Sequence, residues 1–589
     1  MKPITYLLLL FLILFQSCEE GLNKTPLDKI SGDDVWNSEE LSRAYIANLY
    51  SRMYLYGFDG SNMGNNLWLQ SNSWFSWTDE ATSSIGNTNM AVPRGLVSKT
   101  NEGGPYWDYA YIRDCNVFLE RMQTSQIPES VKNQLSGEVR FMRAYTYYEM
   151  MIRYGGVPLV DVVIDPYKPV DEKYSKRATE EAIINFVDSE LTIAINLLTD
   201  DPNSKGKINK WIAYALQARA NLWAASIARY GIVELDGLVG IPASKADSYY
   251  TKASAAADAV ITSDNYSLYN SIPDDKSENY RNIFMDEGNS EVIFEKAYDG
   301  VKIAHCWDAL CAPTIFGTRG GLCNPTLEFI LGYENIDGST DQPIFDKDHL
   351  YANGAEPFVK KDPRLFATVF FQGDIWSNGT IESYDGLDPN PIPDPTSIMS
   401  SPLLSYNGIR SVGYQSSIPV GPENTKSGFH GKKYVDGSKY RIPEWQSQTN
   451  WIIFRLAEMY LIKAEAEFEI GNIAPAVTAL NKTRERAGIS LVDAATISLD
   501  KIRNERRYEF AFEGHRYWDL RRWRTAESVL NNVRFKGLRT ILHYETGKYY
   551  FLPYNCETFS RVFLQEHYYN PITTSRINNN SKLIENPLY

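Results

Sequence analysis

Apolar residues recur at three- and four-residue spacing over two blocks of this 589-residue chain and lose that spacing between them. In the first block Ser38 reads as an N-cap, with Leu41, Tyr45, Leu49 and Met53 on one helical face behind it. Helices are predicted over 107–122, 130–154, 178–199, 208–230 and 246–262, punctuated by Pro128, Gly155-Gly156, Pro202, Gly206 and Pro242. The second block predicts helices over 453–470, 473–487 and 498–524. Between the blocks, residues 270–450 are rich in Gly, Pro, Asn and Asp and include the run Asp388 to Pro395. Short apolar runs at 291–295 and 367–371 read there as strands or buried loops. Residues 58–106 hold no sustained period, and 531–589 read as loops and short strands. The pattern predicts a mostly α protein. Its helical scaffold comes from 38–57, 107–270 and 451–530, elaborated by loop-rich regions with short β-strands at 58–106 and 270–450.

Residues 455–488 form a single helical hairpin. Tyr460, Ala464, Gly471, Ala476 and Leu480 stand where tetratricopeptide repeats put aromatic, small, turn, small and large apolar residues. Small residues let two helices approach, and Pro475 falls in the tolerant first turn of the second helix. Lys463, Glu467 and Thr483 depart from the pattern, so this is one degenerate repeat. With the helix pairs upstream it predicts a tetratricopeptide-like α-α superhelix.

The N-terminus is the one stretch apolar enough to concern a membrane. Lys2 precedes the apolar run Ile4 to Phe15, which spans roughly 18 Å as a helix, short of the ~30 Å hydrocarbon core. Residues 1–17 read as a signal peptide. Gln16-Ser17-Cys18 resembles a bacterial lipoprotein signal with Cys18 as the acylated residue, although Leu14 sits one place further from the Cys than is usual. The alternative is an ordinary secreted chain with an incidental Cys18. Glu19-Glu20 resemble the surface-export signal of Bacteroidetes-type lipoproteins, which makes 18–37 an acylated tether and 38–589 one domain. The five other cysteines, Cys115, Cys306, Cys311, Cys323 and Cys556, are odd in number, so at least one stays free or pairs with another chain. The cluster Cys306, Cys311, Cys323 allows a disulfide, buried thiols or part of a metal site, but its spacings are not a zinc signature.

Charge excludes a class. A net −14, from 73 acids against 59 bases, disfavours general nucleic-acid binding, which relies on phosphate neutralisation. The local exception is 501–524, where basic residues interleave with Tyr508, Phe510, Phe512, Tyr517, Trp518 and Trp523. There Glu505, Glu509 and Glu513 line one helical stripe within reach of Arg506 and Arg516, so an internally compensated ion-pair network is expected.

Two long motifs carry a family resemblance. One runs from Gly137-Glu138 through Arg140-Phe141 and Arg143-Ala144-Tyr145 to Arg153-Tyr154-Gly155-Gly156-Val157-Pro158-Leu159. The other runs from Glu505-Arg506-Arg507-Tyr508-Glu509-Phe510 through Glu513-Gly514-His515-Arg516-Tyr517-Trp518-Asp519 to Trp523. Shorter matches are Trp107 to Asn116, Lys361-Asp362-Pro363-Arg364, Leu480 to Gly488 and Glu585-Asn586-Pro587-Leu588-Tyr589, with Leu588 departing from the usual Gly. In this order they resemble the SusD/RagB family of outer-membrane nutrient-binding lipoproteins. The resemblance implies a surface-exposed, lipid-anchored binder of glycans, or of oligopeptides in the RagB branch, that delivers its ligand to a SusC-type TonB-dependent transporter. It also implies that ligand meets the variable loops, here 58–106 and 270–450, and that the signature motifs are structural.

Loop composition suits sugar. A pyranose has a flat C–H face and a hydroxyl edge, so its binder needs exposed indoles or phenols flanked by polar side chains. The chain has 13 Trp and 39 Tyr. Residues 65–89 supply Asn65, Asn66, Trp68, Gln70, Trp74, Trp77, Asp79, Glu80, Asn87 and Asn89. Residues 305–324 supply Trp307, Asp308, Arg319 and Asn324, with Gly317, Gly320 and Gly321 for close backbone approach. Trp376 stands on an expected hairpin tip. One sugar face on one Trp removes ~50 Å² from water, worth roughly 1–1.5 kcal/mol, which predicts weak capture of oligomers. No cofactor is predicted. The run from Asp388 to Asp394 suggests a calcium loop, but its prolines favour a rigid solvated one. A glycan hydrolase or an adhesin is the competing class. No His-Glu-x-x-His, Gly-x-Ser-x-Gly or phosphate-binding loop is present, and the six His are scattered.

Overall fold

The computed structural model describes residues 34–55, 74–83, 91–202, 206–317, 320–417 and 424–589. Its long helices are α1 (Glu39–Arg52), α2 (Tyr109–Met122), α3 (Glu129–Tyr154), α4 (Glu180–Leu197), α5 (Lys210–Tyr230), α6 (Ala246–Ile261), α7 (Leu456–Glu469), α8 (Ile473–Ala487) and α9 (Leu499–Glu509). Side-chain caps set several starts: Ser38 Oγ accepts from Leu41 N at 3.3 Å, Thr179 Oγ1 from Ala182 N at 3.1 Å and Asn209 Oδ1 from Ile212 N at 3.0 Å.

From α2 to α8 each helix packs on the next one in order. The step from α6 to α7 joins helices almost 200 residues apart, so the whole loop-rich region is an excursion that returns to the stack it left. The result is a mostly α, tetratricopeptide-like superhelix with short strands in the excursion and the C-terminal region, and one at Ala81–Thr82 that pairs with Asn324–Pro325 of the excursion. Close approach explains the motif glycine. A Cβ on Gly137 of α3 would lie 2.8 Å from Leu198 Cγ, inside any real contact distance. Ala464 of α7 and Ala476 of α8 are fully buried at the hairpin seam, as the repeat spacing requires.

The helix expected over 498–524 is broken. It stops at Glu509 and resumes as α10 (Arg516–Arg522), because Phe512 takes φ +59° and Gly514 φ +82°. That turn buries Phe512 and delivers Glu513 to Lys433 and Arg455. The ion-pair network exists, but its partners are not the local ones. Glu505 meets Arg364 and Arg484; Glu509 meets Arg364, Arg455 and Arg486. Arg506 pairs with Asp519 and Arg516 with Asp79 instead. All these groups but the partly exposed Arg516 are buried, so the second motif is the electrostatic core of the fold.

Strands β1 (Val292–Lys296), β2 (Ile375–Trp376), β3 (Gly379–Thr380), β4 (Gly386–Asp388), β5 (Trp451–Arg455), β6 (Lys536–His543) and β7 (Lys548–Asn555) complete what positions the site. β5 pairs antiparallel with β1 and runs directly into α7. The C-terminal hairpin β6–β7 is longer than expected, and β4 joins it in parallel beside β6. The carboxylate of Asp388 in β4 accepts from Asn390 N, Asp394 N, Ser397 Oγ and Tyr550 OH at 2.6–3.1 Å, so hydrogen bonds close the proline-rich loop. Cys115, Cys306, Cys311, Cys323 and Cys556 are separate buried thiols.

Candidate functional site

An open cleft of about 470 Å³ lies within the excursion, every lining residue falling between the end of α6 and the start of α7. Its walls are residues 281–287, the β2–β3 hairpin and residues 436–438; Glu295 and Ile452 come from the paired strands β1 and β5, beside 448–450. The hairpin turn is Ser377-Asn378, with φ +43° and +68°, the two-residue geometry whose twist matches the flanking strands. Ser377 Oγ donates to Gly437 O at 2.7 Å and to Lys439 O at 3.2 Å, fixing the hairpin to the third wall.

Trp376 is half-buried in this frame. The guanidinium of Arg281 lies 4.7 Å from its ring centroid, and Phe370 meets it edge-on at 5.0 Å. A Cβ on Gly437 would fall 2.7 Å from Trp376 Cζ2, so the wall can close on the indole only at a glycine. Polar groups flank it: Asn450 donates to Glu295 Oε1 at 3.0 Å and accepts from Tyr298 N at 3.0 Å, beside Gln448 and Thr449. The cleft therefore offers an aromatic surface in a polar rim, the pairing that a ligand with one apolar face requires.

The other predicted platforms are not platforms. Trp74, Trp77 and Trp307 are buried, because each indole completes the core under the loops. Trp74 stacks on Trp307 with centroids 6.4 Å apart, Trp77 meets Tyr517 at 5.1 Å, and Trp307 Nε1 donates to Lys433 O at 2.9 Å. Asp308 is buried and holds the third wall from beneath, its Oδ1 accepting from Asp436 N at 2.7 Å; burial raises its carboxyl to about 6. Asn324 is buried, its side-chain oxygen accepting from Lys426 N at 2.9 Å. Asp79 is committed to Arg507 and Arg516, and Glu80 is buried beside it. Gly317 turns its backbone against Ala309 and Ala312, not outward. Asn65, Asn66, Trp68, Gln70, Asn87, Asn89 and Arg319 lie outside the described residues.

Sequence reasoning missed Arg281 in the lining, and outside the lining it missed two exposed rings, Tyr440 and Trp445. Tyr440 is 54% exposed and Trp445 46%, with Ile375 at 80% on the hairpin nearby. Trp445 holds φ +62°, a costly conformation for a bulky residue, while its N–H donates to Cys306 Sγ at 3.2 Å. A lone Trp after Pro443-Glu444 carries no periodic signal, so nothing in the sequence marks it.

His305 supports the cleft from below. Trp307 N donates to its Nδ1 at 3.1 Å, so its Nε2 carries the proton given to Thr449 O at 3.0 Å. Burial lowers its pKa from 6.5 to about 3. A depressed histidine contributes stability that is present above pH 6.5 and is lost as pH falls, by about 2 kcal/mol at pH 5. The stability difference between wild type and His305→Asn should therefore be smaller by about that amount at pH 5 than at pH 7.5, read from urea unfolding at both. A pH-independent difference would mean the ring titrates normally.

The helical stack, its loop excursion and an aromatic cleft within that excursion define a class of helical-repeat binding proteins. The family model described as the SusD family matches residues 277–589, more than half of the chain, and one described as "Starch-binding associating with outer membrane" matches 27–222. The chain belongs to the SusD family. It is 25% identical to a SusD-like protein of Bacteroides ovatus over 98% of this chain and 95% of the relative. A solved SusD-like protein of Bacteroides fragilis superposes with TM-score 0.72 at 26% identity, covering 96% of this chain and 100% of that one. Surface glycan-binding protein A of Bacteroides fluxus has the same fold, with TM-score 0.61 at 18% identity over 94% of this chain and 100% of that one. Among the described residues no helix is long and apolar enough to cross a membrane.

Proposed function

We propose that this protein is a cell-surface glycan-binding lipoprotein that captures oligosaccharides on the Trp376 cleft and hands them to a SusC-type TonB-dependent transporter. The half-exposed indole of Trp376 within a polar-rimmed cleft carries the reading. Membership of the SusD family supports it, as does the glycan binding named for the fold relative from Bacteroides fluxus. One indole face contributes roughly 1–1.5 kcal/mol, so Trp376→Ala should weaken oligosaccharide binding about tenfold, measured by calorimetry on the best glycan-array ligand. Ligand chain length should stay unchanged on incubation; shortening would make the protein a hydrolase. Unaltered affinity in the variant would remove Trp376 from the site.

In the same reading Cys18 carries the acyl chains that hold the protein at the outer membrane, since two or more chains are needed for stable anchoring. Cys18→Ala should move the protein from the membrane fraction to the soluble one. Copurification of the acylated protein with a TonB-dependent transporter tests the delivery step.

A further inference from the structure

The cleft has a charge as well as a shape. Four carboxylates line it, from Asp286, Glu287, Glu295 and Asp436, against one guanidinium, that of Arg281. They come from three different elements, so the potential inside has one sign whichever wall a ligand approaches. The one cation is engaged at both terminal nitrogens, and its Nε is buried without a hydrogen-bond partner. Arg281 Nη1 is paired to Glu278 at 2.8 Å, Nη2 donates to Val435 O at 3.3 Å, and the guanidinium face lies on Trp376. Lys432, the other cation near the indole, gives its ammonium proton to Phe366 O at 2.8 Å. Sulfate and carboxylate groups are held by forked guanidinium donors or by free ammonium groups. Among the described residues of the lining there is no ammonium group, and the one guanidinium has both terminal nitrogens engaged and its Nε buried.

Resting on the saccharide-binding reading, we propose that this cleft selects on charge: it takes uncharged and amino-bearing oligosaccharides and rejects sulfated and uronate-bearing ones. The aromatic face accepts any pyranose of suitable shape, so discrimination falls to the carboxylates around it. An anionic substituent entering the cleft meets four carboxylates along its walls, while the two cations against Trp376, Arg281 and Lys432, are engaged with protein groups.

The test is an array of matched oligosaccharide pairs sharing one backbone, each neutral or amino-bearing in one member and sulfated or uronate-bearing in the other. It is probed with wild type, Trp376→Ala and the double variant Asp286→Asn/Glu287→Gln, at low and high salt. The expected result is that the anionic member of every bound pair is at least tenfold weaker at low salt. The gap should narrow at high salt and narrow again in the double variant, whose two positions are exposed and should leave folding intact. An anionic glycan bound as tightly as its neutral partner, in a manner lost in Trp376→Ala, would overturn the charge selection while leaving saccharide binding intact. Binding indifferent to Trp376→Ala would overturn it by placing the ligand elsewhere. Binding to no saccharide on the array would overturn the saccharide reading and this inference with it.

Discussion

Arg455→Met should cost about 3–5 kcal/mol of folding free energy, because it breaks a buried ion cluster by removing one sign of charge. Arg455 ends β5, where the excursion rejoins the helical stack, and it is fully buried. Its Nη1 meets Glu291 Oε1 at 2.8 Å, its Nε and Nη2 meet the two oxygens of Glu513 at 2.8 and 2.7 Å, and Nη2 also donates to Glu509 O at 2.7 Å. The Glu509 carboxylate lies between this guanidinium and those of Arg364 and Arg486, which hold it well below the ordinary glutamate range. Methionine keeps much of the volume and none of the charge, so Glu291, Glu509 and Glu513 remain buried with fewer partners. Urea unfolding at pH 7.5 should show the loss as an earlier midpoint, with the glycan affinity of the remaining folded protein unchanged. An unmoved midpoint would mean that solvent or protons reach these carboxylates and the cluster is not a closed core.

This network marks the border between what was legible in the sequence and what was not. Helices α3 to α6 and the Ser38 cap of α1 follow from local spacing, since a 3.6-residue period and an N-cap oxygen act within one or two turns. The acidic stripe of Glu505, Glu509 and Glu513 was legible in the same way, and so was its need for compensation. Its partners were not. Arg364, Lys433, Arg455, Arg484 and Arg486 reach it from the excursion and from two other elements, and only the tertiary path brings them together. The break after Glu509 was hidden because a positive φ at Phe512 contradicts its residue type and is held by burial instead.

The site divides along the same line. Composition marked the loops as rich in indoles and amides, but composition cannot say which face of an indole meets water. The turn signal Ser377-Asn378-Gly379 places Trp376 at a hairpin edge, but the sequence ranks it level with Trp307 as a candidate, and only burial separates the two. Trp74, Trp77 and Trp307 stood in segments with no period, where exposed and buried indoles have the same sequence signature. Their burial follows from what they pack on, the rings of Trp451, Tyr517 and Tyr434 respectively.

Trp307→Ala should therefore behave as a core mutation and lower stability by about 3–5 kcal/mol. The indole is 5% exposed, stacks against Trp74, meets Phe75 edge-on at 5.7 Å and Tyr434 at 6.3 Å, and gives its N–H to Lys433 O. Truncation leaves a cavity among three large rings that cannot collapse together, and it orphans a buried carbonyl. That carbonyl belongs to the residue whose ammonium holds Glu513 at 2.7 Å, so the damage should spread into the ion cluster. Trp376→Ala removes a half-exposed ring from a peripheral hairpin, and its main cost should fall on ligand. The two variants separate in paired measurements: a large shift in thermal midpoint with retained affinity for Trp307→Ala, a small shift with about tenfold weaker binding for Trp376→Ala. If Trp307→Ala instead lost affinity at an unchanged midpoint, the loops would have to open in solution far enough to present that indole. The gripping surface would then be the stacked pair Trp74 and Trp307, not the cleft around Trp376.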